Sequence, residues 1–371
     1  MTEMKLMDGS EAIVEAAILA GLRFYAGYPM APATELLEHM AAKLPKHGGV
    51  CINADTEIEA VNMALGASQV GARAATGSCG QGIALKQEAI AEAALNETPL
   101  VVFNMARGQQ DYFQATRGGG WGDYRTITYA PKDLHEAVEL THVAFHVADK
   151  YRVPVIFMGD NLLARTQMGT SLPIPDLEPL PAKDWALDGK MGGTGASRWI
   201  WTFGGGKANR PGVGPDGYWR QTAAKFERIA QVEMRHEEGF CDGAETVIVA
   251  FGTGGKFVEH VVRELRAEGH SIGFFRPITL WPFPAPALEA ATRNARNIFV
   301  FELNAGQMID DVRLAVEGRN RIKAIGGPSF DDSGLNLGPM MDAAVIRERI
   351  LAALAGTPLR ELPYTGMGAY L

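Results

Sequence analysis

The sequence predicts an α/β protein with a mostly parallel, doubly wound sheet, and two observations carry that prediction. Short apolar runs rich in Val, Ile and Phe alternate with longer amphipathic stretches along the chain, as strands and helices do in such folds. The chain also has 371 residues, enough for two or three domains that each bury a core. Hydrophobic residues make up 47% of it and charged residues 21%, which excludes disorder as its main state.

The apolar runs that are too short for helices are predicted to be strands buried on both faces of the sheet. They are Gly49–Ile52, Ala72–Thr76, Pro99–Asn104, Val153–Gly159, Thr246–Phe251, Ser271–Arg276 and Asn297–Leu303. Helices are predicted where amphipathic patterns lie between and beside those runs. They are Gly9–Ala20, Thr56–Ser68, Gly82–Leu95, Pro131–Val147, Arg220–Arg235 and Phe257–Ala267.

The alternation stops between about Leu177 and Tyr218, where glycine is dense and the apolar pieces are short. Because so much glycine makes ordering entropically costly, we predict an irregular linker. Trp199 and Trp201 within it, and Trp219 just beyond, favour a linker that lies against a surface. The predicted organisation is an α/β domain over 1–175, a Gly-rich wrapping linker and helix over 176–240, and a second α/β domain over 241–371.

Charge and cysteine usage exclude several classes of function. The chain carries 35 basic and 43 acidic residues, a net charge of −8, and the absence of a basic cluster argues against a nucleic-acid partner. Its three cysteines lie far apart with no CxxC motif. A disulfide framework, or a zinc or iron–sulfur site built from these cysteines alone, is thereby excluded. No run approaches ~18 uninterrupted apolar residues and no signal-peptide layout is seen, so we expect a cytoplasmic protein.

Ligands of open parallel sheets bind beyond the carboxyl ends of the strands, so the loops that follow strands are the candidate binding segments. Four of them are rich in Gly, Pro or polar residues: 25–35, 53–57, 77–82 and 104–125. GSCGQG over 77–82 matches neither common phosphate-loop pattern. An anion-binding turn and a plain strand-to-helix turn stay equally open for it. Cys79 is more typical of a packed thiol than of a nucleophile, since no His lies nearby in sequence.

Three further groups of residues allow a functional and a structural interpretation. Pattern alone favours Glu57 as an acid that caps or opens a helix. Arg107 follows a strongly apolar strand and could hold a carboxylate or phosphate, or be a surface arginine. His142 and His146 share one helical face, as metal ligands do. The glutamate of the HExxH motif is missing, however, which favours two ordinary helix histidines.

Several long segments resemble the α subunit of 2-oxoacid:ferredoxin oxidoreductases, in particular the branched-chain 2-oxoisovalerate type. In chain order they are FYAGYPMAPATE, TEIEAVNMALGAS, DYFQATRGGGWGDYRTITYAP, ADKYRVPVIFMGD, RPITLWPFP and ELNAGQM. The resemblance covers nearly the whole chain. It implies a pyrimidine-type thiamine diphosphate-binding domain followed by a transketolase C-terminal-like domain.

The resemblance also implies an activity and a set of site residues. A 2-oxoacid would be oxidatively decarboxylated to an acyl-CoA, with ferredoxin as electron acceptor. Glu57 would hydrogen-bond the aminopyrimidine ring of the cofactor, which reverses the preference drawn from pattern alone, and Arg107 would hold the substrate carboxylate. The implied cofactor contacts are Tyr28, Pro29, Glu57, Ser78 and Cys79, and the implied substrate pocket is Ala31, Arg107 and Gln109.

The partners implied by the resemblance complete the site. A β subunit would carry the diphosphate site, Mg²⁺ and iron–sulfur clusters, alongside γ and ferredoxin-like δ subunits in some assemblies, and the complex would be a dimer of heteromers. None of the clusters would lie in this chain.

The sequence departs from the family pattern at three places in the implied pocket. Ala31 stands where the family has a threonine, Gln81 stands where proline is usual, and the loop after Arg107 is shortened. A lost hydroxyl and a shorter loop predict a larger pocket, and therefore a branched-chain or aryl 2-oxoacid rather than pyruvate. The alternatives are a non-oxidative thiamine-dependent decarboxylase or carboligase subunit, or a catalytically idle scaffold subunit.

Overall fold

The computed structural model describes residues 4–187, 215–318, 321–327 and 342–357. Its strands are β1 (Lys5–Met7), β2 (Phe24–Gly27), β3 (Val50–Asn53), β4 (Ala74–Ser78), β5 (Leu100–Ala106), β6 (Ile127–Tyr129), β7 (Pro154–Asp160), β8 (Met168–Thr170), β9 (His236–Gly239), β10 (Thr246–Ala250), β11 (Ile272–Pro277), β12 (Thr279–Trp281), β13 (Asn297–Phe301) and β14 (Ile322–Ala324). Its helices are α1 (Gly9–Leu19), α2 (Thr34–Lys43), α3 (Glu57–Gln69), α4 (Gly80–Leu95), α5 (Tyr112–Thr116), α6 (Leu134–Tyr151), α7 (Asn161–Arg165), α8 (Pro215–Val232), α9 (Gly252–Ala267), α10 (Ala285–Thr292), α11 (Met308–Ala315) and α12 (Ala343–Leu354), with a 3-10 turn at Leu44–His47.

The first sheet has seven strands in the order β3-β2-β4-β5-β7-β6-β12. All neighbouring pairs are parallel except β12 with β6. The chain leaves β2 for β3 on one side and then crosses through α3 to β4 on the other side. The strand order therefore reverses between β2 and β4. A crevice opens beyond the carboxyl ends of the strands at such a switch point, and there ligands of doubly wound sheets bind.

The second sheet has five strands in the order β14-β13-β10-β11-β9, parallel except for β9. A separate two-stranded antiparallel ribbon joins β1 to β8. Two parallel α/β sheets in succession confirm the doubly wound fold class predicted from the alternation of elements. None of the helices in the described ranges is long and apolar enough to span a bilayer.

Strand β5 shows why the apolar runs of the sequence form the centre of the first sheet. All seven of its residues are buried. Val101, Phe103 and Met105 belong to the core formed with α1 and α6, and Leu100 and Val102 belong to the opposite core with α3 and α4. Side chains of a strand alternate between faces, so a strand covered on both sides needs a continuous apolar run.

An ion pair joins the two halves of the molecule. Arg276 on β11 is 2% exposed, and its guanidinium donates to both carboxylate oxygens of Glu136 on α6, at 2.7 and 2.9 Å. A third hydrogen bond runs from Arg276 Nε to Glu237 at 2.8 Å. A bidentate arginine–carboxylate pair fixes orientation as well as distance, so the first sheet and the second are held in one arrangement.

The described structure shifts several predicted bounds. Helix α8 begins at Pro215 rather than Arg220 and ends at Val232, because proline is favoured at the first helical position. Helix α9 begins at Gly252 rather than Phe257. Strand β2 and helix α2 were not predicted as elements. Much of the predicted linker, including Trp199 and Trp201, lies outside the described residues.

Candidate functional site

The loops that follow β2, β4 and β5 meet at the switch point, as their positions after parallel strands predict. The Cys79 thiol donates to the Ala31 carbonyl at 3.1 Å, and Arg107 Nε donates to the same carbonyl at 3.1 Å. Ser78 Oγ lies 3.9 Å from Met30 Sδ. The structure therefore brings residues of three predicted loops into one site.

Glu57 is the first residue of α3 and points into this site. Thr56 caps the helix by accepting a hydrogen bond from the Glu59 N–H at 3.1 Å, so the side-chain cap is Thr56 and not Glu57. The Glu57 side chain is 4% exposed, and Ser78 Oγ donates to its Oε1 across 3.4 Å. A long hydrogen bond is a weak one, so the carboxylate retains capacity to accept a stronger donor.

Gly82 on α4 makes room for that carboxylate. A Cβ atom at this position would overlap Ser78 Oγ and lie 2.5 Å from Glu57 Oε1. Helix α4 can approach the end of β4 only because no side chain intervenes there. Gly82 therefore sets where Ser78 and Glu57 lie relative to each other.

Lys86 lies directly behind Glu57, and the sequence analysis did not single it out. It is 0% exposed, and its Nζ donates to the backbone carbonyl of Glu57 at 3.0 Å and to Thr76 Oγ1 at 3.1 Å. Burial lowers the pKa of Lys86 from 10.5 to about 8, and the Glu57 carboxylate opposes that shift. The sequence does hold a signal for it. Lys86 stands four residues from Gly82 and four from Ile90, on the buried stripe of α4.

The GSCGQG segment is a strand-to-helix turn held by a carboxylate. Gly80 has a φ of +49°, and its N–H donates to Asp111 Oδ2 at 2.9 Å. Asp111 is 4% exposed, and its burial raises the pKa of its carboxyl group. Because a carboxylate already accepts this N–H at the start of α4, the structure favours the plain turn over an anion-binding loop.

Cys79 is a buried thiol, as the sequence favoured. Burial raises its pKa to about 11, although the nearby charge of Arg107 acts in the opposite direction. A thiol with so high a pKa is protonated at neutral pH and is a poor nucleophile. Its contact with the Ala31 carbonyl gives it a role in holding the loop after β2.

Arg107 and Gln109 follow β5 but have different surroundings. Arg107 is half-buried, and besides Ala31 its guanidinium reaches Gln81 Oε1 at 3.5 Å. Gln109 is 2% exposed, donates through Nε2 to the Phe251 carbonyl at 3.1 Å and accepts from the Leu303 N–H at 2.8 Å. Both ends of its side-chain amide therefore bond segments that follow strands β10 and β13 of the second sheet, and Gln109 links the loop after β5 to that sheet. The structure therefore lends no support to the prediction that Gln109 contacts substrate.

The remaining predicted residues lie apart from this cluster or at its rim. Tyr28 is half-buried and Pro29 is exposed, both directly after β2. His142 and His146 lie on α6, on the other face of the sheet from α3 and α4, and burial lowers the pKa of both. Across the described ranges, no group of three or more His, Cys, Asp or Glu side chains is placed to hold a metal ion.

Two family models match the chain in consecutive regions. One, described as the thiamine diphosphate-binding region of pyruvate flavodoxin/ferredoxin oxidoreductase, matches residues 15–185. The other, core domain II of pyruvate:ferredoxin oxidoreductase, matches residues 244–332. The first region contains the switch-point site, and the second contains most of the five-stranded sheet.

Curated relatives resemble the chain over most of its length. Ketoisovalerate oxidoreductase subunit VorB of Methanothermobacter thermautotrophicus is 34% identical over 324 residues, which are 84% of this chain and 89% of that protein. The 2-oxoglutarate synthase subunit KorA of the same organism is 31% identical over 359 residues, which are 88% of this chain and 94% of that protein. Both relatives are named as subunits, one of a ketoisovalerate oxidoreductase and the other of a 2-oxoglutarate synthase.

Solved structures agree with the sequence comparisons. The 2-oxoglutarate:ferredoxin oxidoreductase of Magnetococcus marinus, solved with 2-oxoglutarate, coenzyme A and succinyl-CoA bound, matches with a TM-score of 0.77 and 26% identity. That match covers 94% of this chain and 65% of the other. A split-gene transketolase matches at 12% identity with a TM-score of 0.56, a likeness of fold alone. With a switch-point site in its first sheet and family matches over both halves, the chain belongs to the 2-oxoacid:ferredoxin oxidoreductases, as an oxidoreductase subunit.

Proposed function

We propose that the chain is the α subunit of a thiamine diphosphate-dependent enzyme that converts a 2-oxoacid, coenzyme A and oxidised ferredoxin to an acyl-CoA, CO₂ and reduced ferredoxin. The observation that carries this proposal is the buried Glu57 carboxylate at the start of α3, where the strand order of the first sheet reverses. A family model for a thiamine diphosphate-binding region covers this site. The domain bounds 1–175, 176–240 and 241–371 are part of the same proposal.

The residues around Glu57 fit the aminopyrimidine half of thiamine diphosphate. The carboxylate is nearly enclosed, is held only weakly by Ser78, and lies in a gap that a Cβ at Gly82 would fill. When bound, this cofactor supplies the carbon nucleophile and the electron sink for decarboxylation of 2-oxoacids. Glu57 would share a proton with the ring nitrogen, and Ser78 and Gly82 would keep the carboxylate in place for that exchange. The other implied cofactor contacts, Tyr28, Pro29 and Cys79, belong to the loops around it.

Arg107 would hold the carboxylate of the substrate. Its guanidinium has five N–H donors, and its contacts with Ala31 and Gln81 fix it above the turn that begins α4. Arginine is well suited to bind a carboxylate through two parallel hydrogen bonds. Ala31 adds no hydroxyl beside it. The proposed substrate is therefore a 2-oxoacid larger than pyruvate, with a branched aliphatic or aryl side chain.

The proposed complex needs partners for the rest of the chemistry. A β subunit would bind the diphosphate through Mg²⁺ and carry the iron–sulfur clusters. Further γ and ferredoxin-like δ subunits are proposed for some assemblies, and the complex would be a cytoplasmic dimer of heteromers. Relatives are named as subunits of such enzymes, which supports a multi-subunit complex.

The test is an assay of the native complex purified through this chain. We expect 2-oxoacid-dependent dye reduction that requires both coenzyme A and thiamine diphosphate. The panel runs from pyruvate through 2-oxoisovalerate and 2-oxoglutarate to phenylglyoxylate. Strict preference for pyruvate would contradict the proposed pocket. CO₂ release without dye reduction would favour the non-oxidative decarboxylase or carboligase.

The residue test is Glu57→Gln, with Glu59→Gln as its matched control on the same helical turn. Glu59 is exposed and accepts only a local hydrogen bond, from the Asp55 N–H at 3.1 Å. We expect Glu57→Gln to lower kcat by about 10²–10⁴-fold, the range typical of a lost acid–base group, and Glu59→Gln to keep wild-type turnover. Unchanged turnover in Glu57→Gln would favour the idle scaffold.

A further inference from the structure

A buried lysine is an unusual residue to find behind a carboxylate. Lysine is almost never fully buried unless it is paired, and an ammonium group taken out of water costs several kcal/mol by desolvation. Lys86 is nevertheless 0% exposed. Helix α4 would lose nothing in propensity with methionine or leucine there, so packing alone does not explain the charge.

The contacts of Lys86 lead to one residue. Its Nζ donates to the backbone carbonyl of Glu57 at 3.0 Å and to Thr76 Oγ1, two residues before Ser78 on β4, at 3.1 Å. The negative charge of the Glu57 carboxylate favours the ammonium form of Lys86. The Lys86 ammonium therefore contacts the backbone of Glu57 and is stabilised by the charge of the Glu57 side chain.

We propose that Lys86 is a positioning residue for Glu57, a role that rests on the function proposed above for that carboxylate. Its hydrogen bond holds the first turn of α3 at a fixed distance from β4 and α4. Lys86 thereby fixes where the Glu57 side chain begins, so that its carboxyl group can share a proton with the ring nitrogen of thiamine diphosphate.

The other titratable groups around the site are placed differently. Cys79 is at the start of α4, and Arg107 and Asp111 follow β5. Asp111 accepts the Gly80 N–H, and Arg107 donates to the loop after β2. These three lie on the loop side of the site. Lys86 lies on the core side, beneath the helix turn that carries Glu57.

The test compares two single variants of the intact complex, Lys86→Met and Thr76→Val. Methionine keeps the length and flexibility of the lysine stem but removes the charge and the donors. Thr76→Val removes only the second acceptor and leaves the ammonium on the Glu57 carbonyl. We expect Lys86→Met to bind thiamine diphosphate with Mg²⁺ about tenfold more weakly, close to the value of one hydrogen bond from a charged group, because the first turn of α3 loses its donor. Thr76→Val is expected to bind it as the wild type does.

A second measurement separates positioning from stability. The same variants are unfolded in urea in the complex freed of thiamine diphosphate. We expect Lys86→Met to lose cofactor affinity without unfolding at lower urea than the wild type, whereas a residue needed only for the fold would lose affinity and stability together. Lys86→Gln, which stays neutral but polar, is expected to behave as Lys86→Met does and guards against a misfolded methionine variant.

The outcomes separate this inference from the function it depends on. If the wild-type complex neither binds nor requires thiamine diphosphate, the proposed function fails. If the wild type requires it and Glu57→Gln abolishes activity, while Lys86→Met and Lys86→Gln bind thiamine diphosphate as tightly as the wild type, only the role of Lys86 is overturned. Loss of binding in proportion to loss of thermal stability would also overturn it, since that pattern belongs to a structural residue.

Discussion

Replacing Gly82 with alanine should impair catalysis far more than it impairs folding. The added Cβ would lie 2.5 Å from Glu57 Oε1, whereas ordinary contacts begin at 3.4 Å. The carboxylate must therefore move by about 0.9 Å, or α4 must shift. A displacement of about 1 Å at a reacting group typically costs about 10²-fold in rate.

The stability change should be small because two effects oppose each other. Alanine in place of glycine within a helix gains about 1 kcal/mol, and overpacking of a buried site costs about 1–3 kcal/mol. The expected net loss is at most about 2 kcal/mol. Gly66→Ala is the matched control, since Gly66 lies in α3 with no atom within 4 Å of its added Cβ. Gly66→Ala should only gain the stability that alanine adds to a helix, about 1 kcal/mol.

The assay is kcat and KM of the reconstituted complex together with urea unfolding of each variant. We expect kcat to fall about 100-fold in Gly82→Ala, while the urea midpoint falls by no more than the equivalent of about 2 kcal/mol. If Gly82→Ala retains more than half of the wild-type kcat, the packing of α4 against Glu57 does not position the Glu57 carboxylate for catalysis.

Three further predictions concern buried charges. The pKa of Lys86 falls from 10.5 to about 8 on folding, so its ammonium costs up to about 3 kcal/mol below pH 8, and the cost fades between pH 8 and about 10.5. Lys86→Met should therefore unfold at higher urea than the wild type at pH 7, and the gain should shrink as the pH rises above 8 and vanish above about pH 10.5. Arg276→Met should lower the free energy of unfolding by about 3–5 kcal/mol, because Glu136 loses its bidentate partner; an unchanged urea midpoint would refute this. Glu302 accepts three backbone N–H groups at the start of α11, so Glu302→Gln, which turns an NH₂ group toward them, should cost about 1–3 kcal/mol, measured by thermal unfolding.

The elements that could be predicted from the sequence are those whose own residues show a clear apolar pattern. Strands β4, β5 and β10 are continuous buried runs, and their predicted bounds lie within two residues of those observed. Strands β6 and β12 have three residues each, too few for a period of two to be seen. Strand β2 runs into a proline-rich loop, and its four residues FYAG give little pattern of their own.

Some features of the candidate site could also be predicted from the sequence, and others could not. That Glu57 and Arg107 lie at one edge follows from the parallel order of the strands, so the sequence could place them together. The partners of Lys86 and Gln109 could not be foreseen, since Lys86 contacts a carbonyl 29 residues away and Gln109 contacts one 142 residues away. Such contacts depend on how helices and sheets pack, and no local period encodes that packing.

Strand β12 has a consequence for how the protein is made. Thr279 pairs with Tyr129 across the edge of the first sheet, although it lies between strands β11 and β13 of the second. A growing chain that has already formed its first six-stranded sheet still presents the open edge of β6 until Trp281 has left the ribosome. Exposed edges recruit other strands, so during that interval the first sheet can pair with another chain along β6. A fragment that ends before β12 should therefore aggregate, even though it contains every residue of the candidate site around Glu57.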